Sequence, residues 1–281
     1  MRLANLDGRP VLVVDVDAGP AGDLVTVADL AGLGFTFDDV FDRWDEVVDA
    51  AGALGRGATA TVAGTRLGPP APTPRQVFAI GLNYAAHAAE SGQPVPEHPT
   101  TFTKFPTCIA GPHAVVELPS ASVDYEIELV AVIGRRAHRT QAETAWGHVA
   151  GLMVGQDLSE RVVQMRPPAP QFSLGKSFPG FGPTGPWLVT PDEFDDVDDL
   201  ELTCRLNTEV VQSSRTSDLI FSVAEIIERV SAITPMLPGD LVFTGTPAGV
   251  GMGRTPPRYL RPGDVLESTI GGVGTIVTAL R

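Results

Sequence analysis

An α+β fold, mainly β, with a small N-terminal α+β domain and a mixed-sheet C-terminal domain, follows from three observations on this 281-residue chain. Short β-branched runs dominate the sequence beyond residue 75, Gly/Pro turns separate them, and helical spacing is confined to a few segments. In order, residues 1–72 hold short apolar runs such as 11–16 and one amphipathic helix expected over 38–51, where Val40, Phe41, Trp44, Val47 and Val48 recur at helical spacing. The proline-rich stretch 67–74 cannot continue a helix or a central strand, so the domain boundary is placed there, giving domains 1–72 and 73–281. Strands are expected at 77–80, 115–118, 126–133, 200–206, 241–244 and 275–279, with turns at Pro238-Gly-Asp240 and Pro262-Gly-Asp264. One clear helix interrupts them, where Ser222 and Glu225 form a capping box ahead of Ile226, Ile227, Val230 and Ile233.

Composition narrows the classes of function. With 43% hydrophobic residues the chain can bury a sizeable core. A net charge of −14 leaves no basic stripe for nucleic acid and no attraction to anionic membranes. No apolar run is long enough to span a bilayer and the N-terminus lacks a signal-peptide core, so a cytoplasmic location is expected. Cys108 and Cys204 lack metal-type spacing and read as buried thiols in a reducing compartment.

The most informative chemistry lies in Asp124-Tyr-Glu126-Ile-Glu128-Leu, followed by Asp157 beyond a short helical pattern. On an alternating strand Asp124, Glu126 and Glu128 share a face, while Tyr125, Ile127 and Leu129 fill the other. Adjacent carboxylates in apolar surroundings repel unless a cation lies between them, and oxygen ligands suit Mg²⁺, Mn²⁺ or Ca²⁺ rather than zinc. A solvated strand face is the alternative reading. Upstream, His87 and Glu90 stand three apart on a short helix, so Glu90 can fix the imidazole tautomer and leave the other ring nitrogen to take a proton from water. An incidental surface pair is the plain alternative. The stretch 91–96 that follows suggests a mobile lid.

Two apparent nucleotide motifs fail. Gly175-Lys176-Ser177 lacks the upstream glycine of a phosphate loop because position 170 is proline, and the glycines at 249, 251 and 253 do not have dinucleotide-binding spacing. Instead, the segment 244–249 offers hydroxyls and backbone N–H groups to an anionic ligand, and Lys176 a positive charge to that anion or to an oxyanion formed in reaction.

From about Arg75 to the C-terminus the chain resembles the fumarylacetoacetate hydrolase family. The resemblance rests on an ordered series: Gly-x-Asn-Tyr-x-x-His-x-x-Glu at 81–90, Phe-Thr-Lys-Phe-Pro at 102–106, the Glu-x-Glu strand, and Asp157 with Arg161 and Gln164. Gly-Lys-Ser-Phe at 175–178, Gly182 to Trp187, Gln212 with the segment 216–221, and 238–247 complete it. The resemblance implies a mixed-sheet β-roll, a homodimer, and one Mg²⁺ or Mn²⁺ per subunit on Glu126, Glu128 and Asp157. It implies a His87–Glu90 lid dyad, and Arg161, Gln164, Lys176 and Thr246 on the keto-acid end of a small-molecule substrate, with Tyr84 and Gly245 counted among the substrate contacts.

Gln156 replaces the family's usual asparagine, Pro179 its frequent aspartate, and Arg215 part of an uncharged polar run. These departures are expected at the pocket border and bear on substrate identity. Three functions remain open on this reading: a metal-dependent carbon–carbon hydrolase of an acylpyruvate or related β-diketo acid, with His87, Glu90 and Lys176 catalytic; a decarboxylase, tautomerase or isomerase on the same site; or a metal-stabilised binding protein without catalysis.

Overall fold

The computed structural model describes residues 1–17, 24–54 and 59–281. Its largest sheet runs, from one edge to the other, through Thr59–Ala63, Leu24–Asp29, Arg9–Asp17, Arg2–Leu6, Gly182–Val189, Val149–Gln156, Ile127–Ile133, Leu241–Phe243, Val77–Gly81 and Thr100–Thr103. Most neighbours are antiparallel; Leu241–Phe243 pairs parallel with Val77–Gly81. A second sheet orders Glu209–Arg215, Glu201–Leu206, Val265–Ile270, Gly274–Leu280 and Val115–Val116. Val265–Ile270 and Gly274–Leu280 pack against the central strand Val149–Gln156, and one apolar cluster containing Val154, Leu202, Leu266 and Ile276 joins the two sheets. This mainly-β mixed-sheet architecture is the α+β class read from the sequence.

The segment before residue 72 continues the large sheet rather than forming one of its own. Arg2–Leu6 pairs antiparallel with Gly182–Val189, and Leu3, Leu30, Phe35 and Trp44 share an apolar cluster with Val77, Val130 and Leu241. The first helix covers Trp44–Leu54, starting later than the expected 38–51. Before it, Asp39 accepts from the Thr36 backbone and hydroxyl at 2.8 Å each and from Arg43, and these local bonds hold turns in place of a helix. Val48 is exposed at 44% and lies outside the apolar stripe expected for it.

The central strands Val149–Gln156 and Gly182–Val189 are wholly buried, so neither shows the alternation that would announce a half-buried strand. Both lie beside the region that positions the site. The expected capping box is present: Glu225 N–H donates to Ser222 Oγ at 3.3 Å and Ser222 N–H to Glu225 Oε2 at 2.9 Å. Its helix, Val223–Ser231, buries Ile226, Ile227 and Val230; Ile233 falls beyond the helix end and is 88% exposed. Both cysteines are buried free thiols. Among the described residues, no helix is long and apolar enough to cross a membrane.

Candidate active site and metal centre

The strand alternation expected from residue 124 onward breaks where the site is built. Val123–Asp124 pairs with Ser159–Glu160, and the long strand begins only at Ile127, so Tyr125 and Glu126 form an irregular link between the two. Two buried glutamines satisfy that link's backbone. Gln156 Oε1 accepts from Glu126 N–H and Gln212 Oε1 from Ile127 N–H, both at 3.0 Å. Gln212 Nε2 in turn donates to Thr246 Oγ1 at 2.8 Å. The distorted backbone brings Glu126, Glu128 and Asp157 together, with one carboxylate oxygen from each lying within 4.8 Å of the others. All three are buried.

Asp124 therefore leaves the shared carboxylate face expected for it. Its Oδ2 accepts from Arg161 Nε and Nη2 at 2.9 and 2.7 Å, and from Met252 N–H at 2.9 Å, while Oδ1 accepts from Gly251 N–H at 2.7 Å. Asp124 thus ties the loop at 251–252 to Arg161. Arg161 Nη1 reaches Glu126 Oε1 at 2.7 Å and Gln164 Oε1 at 2.9 Å.

Lys176 Nζ donates to Glu126 Oε2 at 2.7 Å, Asp157 Oδ2 at 2.6 Å and Ser159 Oγ at 2.8 Å. An ammonium has three N–H donors, so these bonds engage all of them. Lys176 accordingly supplies charge to the site but no free donor to a substrate oxygen, contrary to the direct oxyanion contact expected of it. A second lysine, to which the sequence assigned no role, lies behind Asp157. Lys104 is 1% exposed, and its Nζ donates to Asp157 Oδ1 at 2.7 Å, to Phe181 O at 3.1 Å and to the Lys176 carbonyl. The available signal was a lysine alone among phenylalanines at 102–106, since a buried lysine needs an acidic partner.

The carboxylates fit a divalent cation by chemistry as well as by position. Burial alone would raise Glu126, but the Lys176 and Arg161 charges overcome it and hold that carboxyl below its usual range. Glu128 has no such cation on its side chain. Burial, followed by the neighbouring Asp157 and Glu126 charges, drives it well above the ordinary carboxylate range, and the Lys176 charge and the Gly245 N–H at 2.8 Å only partly offset this. A divalent ion among three buried oxygen donors would relieve that repulsion.

Gly245, expected at the substrate, thus directs its N–H to Glu128. Its backbone is left-handed at φ 104°, and a Cβ there would stand 2.7 Å from Asn83 Cβ, so the position requires glycine. Tyr84 is also displaced from its expected role. It is 2% exposed, its hydroxyl has no hydrogen-bond partner, and burial raises its pKa. Neither residue lines the cavity that opens beside the carboxylates.

That cavity, of about 290 Å³, is lined by Glu126, Glu128, His87, Arg161, Gln164, Lys176 and Thr246, with Ile80, Leu82, Phe102, Met165, Phe172 and Met252 among its apolar residues. Helix Ala85–Glu90 presents His87 to it. Asn83 anchors the helix entry, its side chain donating to Thr244 O at 2.7 Å and Phe221 O at 2.9 Å. His87 Nδ1 lies 3.2 Å from Glu90 Oε2, and Glu90 also accepts from Gly249 N–H at 3.0 Å. With an acceptor opposite, Nδ1 is assigned the proton and Nε2 is left as the basic nitrogen. Ser91 and Gln93, from the expected lid stretch, also line the cavity.

The three departures noted in the sequence take up different places. Gln156 is fully buried and supports Glu126 from behind, so it does not border the cavity. Pro179 is not among the lining residues. Arg215 pairs with Asp199 at 2.6 Å on the surface.

Fumarylacetoacetate (FAA) hydrolase C-terminal is the family description that matches residues 76–281. The bovine protein named oxaloacetate tautomerase FAHD2A, mitochondrial, is 43% identical over 210 residues, which span 74% of this chain and 67% of that protein. A crystal structure of a Mycobacterium smegmatis protein provisionally named HpcE shares 50% identity at a TM-score of 0.90, covering 100% of this chain and 99% of that one. Maleylpyruvate hydrolase from Sphingobium sp. SYK-6, solved with manganese(II) and pyruvate, shares 26% identity at a TM-score of 0.80, covering 100% and 98%. By its fold, its ordered motifs and these matches, the chain belongs to the fumarylacetoacetate hydrolase family.

Proposed function

We propose that the chain is a divalent-metal-dependent hydrolase that cleaves a carbon–carbon bond in an acylpyruvate or related β-diketo acid. The observation that carries this reading is that His87, 3.2 Å from Glu90, faces the same cavity as Glu126 and Glu128. Tautomerisation or decarboxylation calls for no attacking water, whereas hydrolysis calls for a base positioned to generate one. Mn²⁺ or Mg²⁺ held by Glu126, Glu128 and Asp157 would supply a Lewis acid for the keto-acid end. The manganese and pyruvate in the Sphingobium hydrolase support that choice of ion and substrate end.

His87 Nε2 takes a proton from water as the water oxygen bonds to the distal carbonyl carbon. The carbon–carbon bond then breaks, its electron pair staying with the keto-acid fragment, and a proton returns to that carbon. The products are a carboxylic acid and pyruvate or a related keto acid. Glu90 holds the imidazole tautomer throughout. Arg161, Gln164 and Thr246 line the polar end and orient the substrate, and Lys176 contributes its charge through the carboxylates it bridges.

A second reading, tautomerisation or decarboxylation of a β-keto acid such as oxaloacetate, is favoured by the name of the bovine relative. Turnover of acetylpyruvate and oxaloacetate with Mn²⁺, by wild type and His87→Ala, separates the two. Acetate and pyruvate release lost in His87→Ala supports hydrolysis; oxaloacetate turnover indifferent to His87 supports the second reading. A homodimer and a cytoplasmic location are proposed here, the first from the family resemblance. Light scattering tests the first. Cell fractionation tests the second against the mitochondrial location in the relative's name.

A further inference from the structure

The second sheet reaches the carboxylate site through a polar pair set in an apolar face. Its strands Glu201–Leu206 and Val265–Ile270 bury Leu202, Cys204, Leu206, Leu266, Ser268 and Ile270 on alternate positions. In register these pair as Leu206 with Leu266, Cys204 with Ser268 and Leu202 with Ile270. Ser268 thus stands where the alternation calls for an apolar residue, and it is wholly buried. A buried hydroxyl needs a partner, and Ser268 finds one on the facing sheet, where Gln156 Nε2 donates to its Oγ at 2.8 Å. Cys204 Sγ, 3.4 Å from the same nitrogen, is a weaker acceptor for the second N–H.

The other end of the Gln156 amide fixes which way round it lies. Glu126 N–H is a donor, so the amide atom 3.0 Å from it is the oxygen, and Nε2 faces the second sheet. Glu126 O accepts in turn from Asp157 N–H at 2.9 Å. Residues 156 and 157 therefore grip both backbone groups of Glu126, one through a side chain and one through the main chain. The side-chain grip is the conditional one, because a glutamine has several rotatable bonds and holds its amide in place only when the far end is pinned. We infer that Ser268 is a positioning residue for Glu126, acting through Gln156. Its hydroxyl meets Gln156 and Cys204 and bonds none of the three site carboxylates. Without that oxygen the amide keeps only the sulfur as a partner, turns, and releases Glu126 N–H, which has no water to replace the lost acceptor. Glu126 then drifts from the place where its oxygen lies with those of Glu128 and Asp157. An asparagine at 156, one methylene shorter, would not span Glu126 and Ser268. The inference rests on the metal reading of these carboxylates and not on the reaction proposed above.

Calorimetric titration of the full chain with Mn²⁺, beside thermal melting of the metal-free protein, tests this. Ser268→Ala should raise the Mn²⁺ Kd by about tenfold or more, the scale on which residues behind a metal ligand act. The metal-free melting temperature should fall by only a few degrees. In Gln156→Asn, or in Gln156→Met if the first does not fold, Kd is already raised, and adding Ser268→Ala should change it by less than about twofold. An unchanged Kd in Ser268→Ala, whatever its melting temperature, makes Ser268 a packing residue and overturns the inference. So does an equal loss of affinity in both backgrounds, because Ser268 would then act by a route other than Gln156. No substrate enters these titrations, so failure of the hydrolase reading leaves their outcome standing. Wild type that binds no Mn²⁺ defeats the metal reading, and the inference falls with it.

Discussion

The same kinds of side chain form ion pairs in two regions of this molecule, and the two sets serve opposite ends. In the N-terminal part and at its border, Arg9–Asp29 and Arg75–Asp42 lie on the surface with each partner about half exposed. At the site, Lys104–Asp157, Arg161–Asp124 and Lys176–Asp157 have side chains no more than 5% exposed. Water screens the first set, so their contribution to stability is small. Removing one partner from the second set leaves a charge that neither water nor protein balances. The buried set is explained by what it does to the carboxylates: it keeps Glu126 ionised and holds Asp157 in place while leaving Glu128 short of a cation.

Lys104→Met should break this contrast most severely. It strips Asp157 of one cation and leaves the carbonyls of Lys176 and Phe181 without their donor, so denaturant unfolding of the metal-free protein should show a loss of about 3–5 kcal/mol. Next in size is Ser222→Ala, which removes the side-chain acceptor from a helix far simpler in its chemistry; it should cost about 1 kcal/mol in the same measurement. Arg75→Ala should leave the unfolding midpoint indistinguishable from wild type. A loss comparable to that of Lys104→Met would erase the distinction between the two regions.

Acidity sharpens the comparison. Glu128 is raised in the folded, metal-free protein, so its contribution to stability is fully present below the ordinary glutamate value of 4.5 and is lost as pH rises through its folded value. Glu126 has the opposite sign: it is lowered, and its contribution is present above 4.5 and lost as pH falls through its folded value. Binding a cation requires Glu128 to release its proton. The rise in melting temperature caused by saturating Mn²⁺ should accordingly grow as pH increases from 5 to about 8, and Glu128→Gln should flatten that dependence. A metal effect independent of pH in wild type would contradict the raised Glu128.

Much of the site was legible because its residues announce their chemistry locally. Carboxylates two apart, and a histidine three residues before a glutamate, carry their meaning in spacing, and the structure brings Glu126, Glu128 and Asp157 together and His87 against Glu90. Ser222 and Glu225 were readable for the same reason. What escaped depends on distant partners. Asp124 left the glutamate face because Gln156 and Gln212, from two other strands, stabilise an irregular link at Tyr125 and Glu126. Lys104 acquires its role only from Asp157 and from two carbonyls more than 70 residues away in sequence. Tyr84 and Gly245 belong to motifs that pass close to the cavity, yet proximity in sequence does not say which side of the wall a group faces. The strands Val149–Gln156 and Gly182–Val189 were missed because burial on both faces removes the period that marks a strand.

Hydrolysis in water enriched in heavy oxygen tests the central claim most directly, using the Mn²⁺-loaded protein and acetylpyruvate. The water oxygen should enter the released acetate, and His87→Ala should lower the rate by about 10²- to 10⁴-fold while the protein still binds the metal. Turnover of a keto acid with no oxygen entering any product, or at a rate unaffected by His87→Ala, would contradict a water-activating dyad.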